Sequence, residues 1–201
     1  MTKVIKPGCF KKIVNSLKKG EVVAFATDTV FGIGVCFDNL EALNKMKVAK
    51  GRDEKKPFPL MVYDISQMHR VAFLNEREKR LVEKFTPGAL TLVLKKKDTI
   101  KDEMVNDFDT VAIRIPDDEF VLKLLKEVGP MFVTSANISG KPTTNSHDEV
   151  LNQLNGKIDL IVEGKAKSGI SSTIIDCTKE ELIFIREGDI TKEDINNALA
   201  C

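Results

Sequence analysis

Three loops in this chain hold the residue types that chemistry on phosphates and carboxylates uses. The first is Thr27-Asp28-Thr29-Val30-Phe31-Gly32-Ile33-Gly34, where hydroxyls stand beside glycines that let a ligand approach the backbone. The second runs Lys50-Gly51-Arg52-Asp53-Glu54-Lys55-Lys56-Pro57-Phe58-Pro59-Leu60 and crowds cations before a Pro-Phe-Pro stop. Such cations repel one another unless an anion joins them, and a triphosphate is such an anion. Arginine would offer it a planar fork and lysine a point charge. The third, Thr134-Ser135-Ala136-Asn137-Ile138-Ser139-Gly140-Lys141-Pro142-Thr143-Thr144, combines hydroxyls, an amide and a lysine. Each has a plainer alternative: a glycine turn, cations that favour a helix end, and a polar turn before a helix.

Other chemistries find little support. Lys141 follows Gly140, but Pro142 stands where a Walker loop needs Ser or Thr, and no GxGxxG occurs. The two histidines, His69 and His147, fall in helical stretches outside the three loops, which leaves a hydrolase triad without a base. Cys9, Cys36, Cys177 and Cys201 are scattered with no CxxC pair, so neither a zinc site nor a disulfide framework is expected. Cys36 and Cys177 sit in apolar runs and read as core residues.

The loops need a scaffold, and the apolar pattern supplies one. Phe10, Ile13, Val14 and Leu17 have helical spacing, with Gly20 as the stop. Val22 to Ala26 is a continuous apolar run of the kind that forms a strand buried on both faces. Further strands are expected at 33–37, 60–63, 90–94, 111–115, 131–133, 160–162, 173–175 and 182–185. Helices are expected at 40–49, 66–71, 76–85, 120–128, 147–154 and 192–199, with Asp38 or Asn39 capping the first of these and Thr191 the last. Each of the three loops follows an apolar strand or a helix, where ligands of α/β proteins bind. Lys50 and Arg52 are two apart and share no helical face. They converge on one ligand only if the chain leaves the helix at Gly51.

The whole chain sets bounds. Its 201 residues fit one domain over 1–201, and interleaved strands and helices indicate an α/β fold on a mixed sheet. The 42% hydrophobic content can fill a core. The formal charge of +1 argues against a protein built to wrap nucleic acid, despite the runs Lys11-Lys12, Lys18-Lys19 and Lys95-Lys96-Lys97. No apolar stretch approaches the ~20 residues of a membrane span, and a cytoplasmic protein is expected.

At the three loops the sequence resembles the YrdC-like family. The first loop is similar to its PTDTVYGLG segment, with Ala26 for the proline and Phe31 for the tyrosine. Lys50-Gly51-Arg52 is similar to its KxR motif, and Ser135-Ala136-Asn137 with Ser139-Gly140 to its SxN motif. Thr86-Pro87-Gly88-Ala89-Leu90-Thr91, Val111-Ala112-Ile113-Arg114-Ile115-Pro116, Ser172-Thr173-Ile174-Ile175-Asp176 and Arg186-Glu187-Gly188 resemble four further segments, in the family's order. The resemblance implies a twisted mixed parallel/antiparallel sheet with helices around a large concave cleft. It implies a synthase of the short bacterial form that joins L-threonine, bicarbonate and ATP into threonylcarbamoyl-AMP and pyrophosphate. Downstream proteins would then transfer the threonylcarbamoyl group to tRNA. No organic cofactor is implied and no protein-held metal, because Mg²⁺ arrives with ATP; a weak direct contact with tRNA is a further expectation.

Carried over position by position, Lys50, Arg52, Ser135 and Asn137 would hold the reacting phosphate and carbamate. Arg52, Lys56, Thr110, Ser135, Thr143 and Arg186 would bind ATP, and Thr29, Arg114, Val133 and Ser172 would bind threonine, with Arg114 facing its carboxylate. One departure stands out: Met61 falls where many members have a histidine that touches the amino acid. Two other readings compete. One is a carbamoyl-adenylate-forming domain of the hydrogenase-maturation type, which the Lys56-Pro57-Phe58-Pro59-Leu60-Met61 string also resembles. The other is a double-stranded RNA-binding protein, which the balanced charge disfavours.

Overall fold

The computed structural model describes residues 1–52 and 56–200. The expected cation at Lys55 and the cysteine at Cys201 lie outside the described residues. In chain order the elements are β1 (Lys3–Ile5), α1 (Phe10–Lys18), β2 (Val23–Phe25), β3 (Gly32–Cys36), α2 (Leu40–Lys50), β4 (Leu60–Met61), α3 (Ile65–Val71), α4 (Glu76–Phe85), β5 (Leu90–Lys95) and β6 (Thr110–Arg114). They continue with α5 (Glu119–Val128), β7 (Met131–Ser135), α6 (His147–Leu154), β8 (Leu160–Val162), β9 (Thr173–Asp176), β10 (Ile183–Arg186) and α7 (Lys192–Leu199). Short 3₁₀ turns cover Pro7–Cys9 and Asp102–Val105.

Local chemistry explains the helix boundaries. The Asn39 side chain accepts from the Ala42 amide and opens α2, and Gly51 closes it in the left-handed region at φ 57°. Asn75 with Glu78, and Thr191 with Asp194, form capping boxes that start α4 and α7. Asp64, Asp118 and Ser146 cap α3, α5 and α6 through their side chains.

Among the described residues the strands form one sheet in the order β1-β8-β2-β3-β7-β4-β6-β5-β9-β10. Parallel pairs (β1 with β8, β8 with β2, β4 with β6, β5 with β9) stand among antiparallel ones, so the expected mixed sheet is what forms. Strand alternation sends neighbouring side chains to opposite faces. On one face Val23 and Phe25 pack with Ile13 and Leu17 of α1 and Leu124 and Leu125 of α5. On the other, Ala24, Ile33, Leu60, Leu92 and Ile113 pack against α2, α3 and α4. The edge strand β1 was not legible in the pattern: it is three residues long, and Val4 stays 38% exposed. No helix among the described residues is long and apolar enough to cross a membrane.

Candidate active site

The register of the central strands decides which side chains meet. Leu92 pairs with Ile113 and Val93 with Ala112 across β5 and β6, while Thr91 pairs with Ile174 across β5 and β9. Leu90, Leu92, Leu94, Val111 and Ile113 point into the core. Alternation therefore puts Thr91, Ala112, Arg114 and Ile174 on the opposite face. There a cleft of about 770 Å³, partly open to solvent, is walled by the 27–32 loop, the C-terminal ends of β6 and β7, and the 171–174 and 186 segments. Thr29, Arg52, Arg114, Val133, Ser135, Ser172 and Arg186 all line it, so seven expected positions meet in one place. No carboxylate lines it among the described residues.

Each arginine is oriented by hydrogen bonds. Arg114 is 4% exposed; its Nη2 donates to Asp28 Oδ2 at 2.6 Å, its Nη1 to Thr29 Oγ1 at 2.9 Å and its Nε to Gly88 O at 2.9 Å. Those bonds use three of the five guanidinium N–H groups and leave two for a ligand. Burial pulls Arg114 below the ordinary arginine value, and Asp28 opposes that shift. Arg186 donates Nε to Ser172 O at 2.8 Å and Nη2 to Ser172 Oγ at 3.2 Å. Burial first, and then the charge of Arg114, lower it as well, which shows two cations facing the same space. Arg52 donates to the carbonyls of Lys56 and Pro57 and stacks over Phe58, 4.7 Å from the ring centroid. Three guanidinium groups that converge on one cleft make a site for an anion.

Lys50 was expected to touch the reacting groups, and the structure places it under the third loop, next to the cleft lining. It does not line the cleft and is only 2% exposed. Its Nζ donates to the carbonyls of Ser135 and Asn137, the latter at 2.7 Å. The reason is the helix stop at Gly51, which sends Lys50 beneath the third loop and Arg52 into the cleft. Burial, and then Arg52, pull Lys50 down to about 7. Asn137 is also outside the cleft lining: its Nδ2 donates to Ile138 O and Lys141 O, and its buried Oδ1 has no hydrogen-bond partner among the described residues.

The chain matches the Sua5/YciO/YrdC family, described as telomere recombination, over residues 15–188. It belongs to that family. A Bacillus subtilis protein named threonylcarbamoyl-AMP synthase is 40% identical over 183 residues, covering 89% of this chain and 53% of that protein. A Methanocaldococcus jannaschii relative is 37% identical, covering 90% of this chain and 87% of its own length. The crystal structure of P. abyssi Sua5 complexed with L-threonine matches with a TM-score of 0.93 at 32% identity, covering 98% of this chain and 61% of that one. The chain thus spans about half the length of the B. subtilis relative. Every residue that lines the Sua5/YciO/YrdC-family cleft falls within the matched range.

Three expected ATP contacts are not among the lining residues. Lys56 and Thr143 are exposed. Thr110 shares the cleft face of β6 but begins that strand, about 13 Å from Arg114 at ~3.3 Å per residue. Sequence reasoning in turn missed Asp28 as the partner of Arg114, and Thr91, whose hydroxyl lies 2.9 Å from Ser172 Oγ. Thr91 could have been found from the alternation Leu90, Leu92, Leu94, which leaves it on the other face. Met61 does line the cleft, beside Val133.

Proposed function

We propose that this chain is an L-threonylcarbamoyladenylate synthase, a nucleotidyltransferase serving threonylcarbamoyl modification of tRNA. The observation that carries the reading is the convergence of Arg52, Arg114 and Arg186 on one cleft whose lining among the described residues includes several hydroxyls. Names of relatives and a threonine-bound neighbour of the same fold support it.

Both substrates present anions: threonine its carboxylate, ATP its phosphates. The two free N–H groups of Arg114 suit the carboxylate, with Thr29, Val133 and Ser172 around it. Arg52, Arg186 and Ser135 suit the phosphates. The neutral threonine amine and bicarbonate give a carbamate and water. A carbamate oxygen then attacks the α-phosphorus, the bond to the β-phosphate breaks, and pyrophosphate leaves. Charge moves onto the leaving pyrophosphate, so fixed guanidinium donors stabilise the transition state and no enzyme nucleophile is needed. Cys36 and Cys177 suit none, because burial raises them to about 11 and about 12. The donor set also bears on Mg²⁺. Among the described residues no cluster of three or more His, Cys, Asp or Glu could hold a metal, and the lining offers hydroxyls and cations. Such a lining suits a Mg²⁺ that arrives on the nucleotide as part of the substrate.

The reading is tested by mixing protein, Mg·ATP and bicarbonate with each amino acid in turn and measuring pyrophosphate. Release should depend on threonine, with serine the nearest competitor, since one methyl is worth only ~1–3 kcal/mol. Release with carbamoyl phosphate in place of threonine and bicarbonate would favour the carbamoyl-adenylate chemistry instead.

A further inference from the structure

The third loop shows an unusual distribution of its carbonyls. The Ser135 and Asn137 carbonyls both accept from Lys50 Nζ, and the Ala136 carbonyl between them accepts from Thr144 Oγ1 at 2.9 Å. Three successive carbonyl oxygens are thus withdrawn onto buried donors, with Lys50 2% and Thr144 0% exposed. The Lys50 backbone joins in, its own carbonyl accepting from Ser139 N at 2.9 Å. The C-terminal end of α2 and the loop are therefore tied at three points. Meanwhile Ser135 lines the cleft with a hydroxyl that donates to no group among the described residues.

We infer that Lys50 is a positioning residue, whose ammonium, together with the Thr144 hydroxyl, holds the Ser135–Asn137 carbonyls away from the cleft so that this loop offers the nucleotide's phosphates a donor and no acceptor. The inference deepens the synthase reading and rests on it for the identity of the anion. Its physical basis is simple. A carbonyl oxygen turned toward a phosphate repels it, whereas a hydroxyl or amide donor attracts it, and in a partly dry cleft both effects grow. A lysine is suited to the task because its ammonium has three donors and can hold two carbonyls at once. Arg52, leaving the same helix end into the cleft, is then the residue that meets the ligand.

The test uses calorimetric titration of Mg·ATP and, separately, of threonine into the wild type, Lys50→Met and Thr144→Val. Lys50→Met keeps the length of the side chain without donors, and Thr144→Val keeps the shape without the hydroxyl. Loss of a hydrogen bond to a charged group is worth ~1.5–3 kcal/mol, so the Mg·ATP Kd should rise about tenfold or more in Lys50→Met and a few-fold in Thr144→Val. The threonine Kd should stay within about twofold of wild type in both, on the same scale. In turnover, the KM for ATP should rise more than kcat falls. A cooperative unfolding transition is measured for each variant, so Thr144→Val decides if Lys50→Met does not fold. An unchanged Mg·ATP Kd in both variants with a collapsed kcat would put the ammonium on the reacting groups and overturn the inference. So would a Kd lost in Lys50→Met and unchanged in Thr144→Val, or a threonine Kd that rises in step with that of ATP. Because these are binding measurements, they stay decisive if the wild type releases no pyrophosphate with threonine, a result that would count against the synthase reading alone.

Discussion

Two buried cations flank the cleft, and they are compensated in opposite ways. Arg114, at 4% exposure, has its own carboxylate: Asp28 Oδ2 lies 2.6 Å from Nη2 and also accepts from the Asp117 amide. Lys50, at 2% exposure, is held among the described residues by the carbonyls of Ser135 and Asn137, and the like charge of Arg52 acts on it. A buried charge without a counterion is unfavourable unless something supplies one. On the Arg114 side the chain itself does so, which fixes the guanidinium rigidly and leaves two donors for a carboxylate. On the Lys50 side the described residues supply carbonyls, and under the proposed function a bound anion would add the opposite charge. Under the proposed function, the Arg114 end, which would meet threonine, is preorganised, while the other end would meet the phosphates.

The largest expected effect comes from breaking the compensated side. Arg114→Ala leaves Asp28 buried and unpaired, with its Oδ1 already without a partner, and should lower unfolding stability by ~3–5 kcal/mol in denaturant titration. Arg114→Ala with Asp28→Asn should recover part of that loss without restoring threonine binding. A similar stability for Arg114→Ala and wild type would mean that the pair carries no structural weight.

Next come the other two arginines that line the cleft. Arg52→Ala and Arg186→Ala should each reduce kcat/KM by roughly a hundredfold, the scale of a lost transition-state donor at ~3 kcal/mol. Their effect on threonine affinity should be far smaller than that of Arg114→Ala. Equal losses of threonine and ATP binding in all three variants would erase the distinction between the two ends of the cleft.

The comparison also has a pH signature. Lys50 is near 7 in the folded protein and 10.5 when unfolded, so between those values the unfolded chain holds more protons and stability rises with pH. Affinity for Mg·ATP should move the other way, falling as the ammonium loses its charge above about 7, by at most about tenfold per pH unit. Among the described residues Arg52 is the charged group that acts on Lys50. Calorimetry between neutral and mildly alkaline pH reads the slope, and Lys50→Met should flatten it. A wild-type slope that survives in Lys50→Met would assign the titration to another group.

Much of this arrangement was visible in the residues and part of it was not. Strands and helices followed their apolar periods closely, from the run at Val22 to Ala26 down to the Thr191 cap of α7, because local pattern and packing agree there. Gly51 was readable as the point where the chain leaves the helix, although the turn was expected to bring residues 50 and 52 onto one ligand. Which of the two would face the ligand was not readable. That depends on the depth of the third loop over α2, a tertiary contact 85 residues away in sequence. The same holds for Asp28 and Arg114, 86 residues apart. The smallest expected effects mark the outer limit of the site: Lys56→Ala and Thr143→Ala, both exposed and outside the lining, should each change ATP affinity by less than ~1 kcal/mol. A larger loss would extend the cleft to them.

One measurement bears most directly on the chemistry itself. Labelled bicarbonate is incubated with the protein, Mg·ATP and threonine, and the adenylate product is isolated and weighed by mass spectrometry. Label should enter a threonylcarbamoyl adenylate only when all three substrates are present, in step with pyrophosphate release. Pyrophosphate released without label in the adenylate, or label incorporated without threonine, would contradict the assignment.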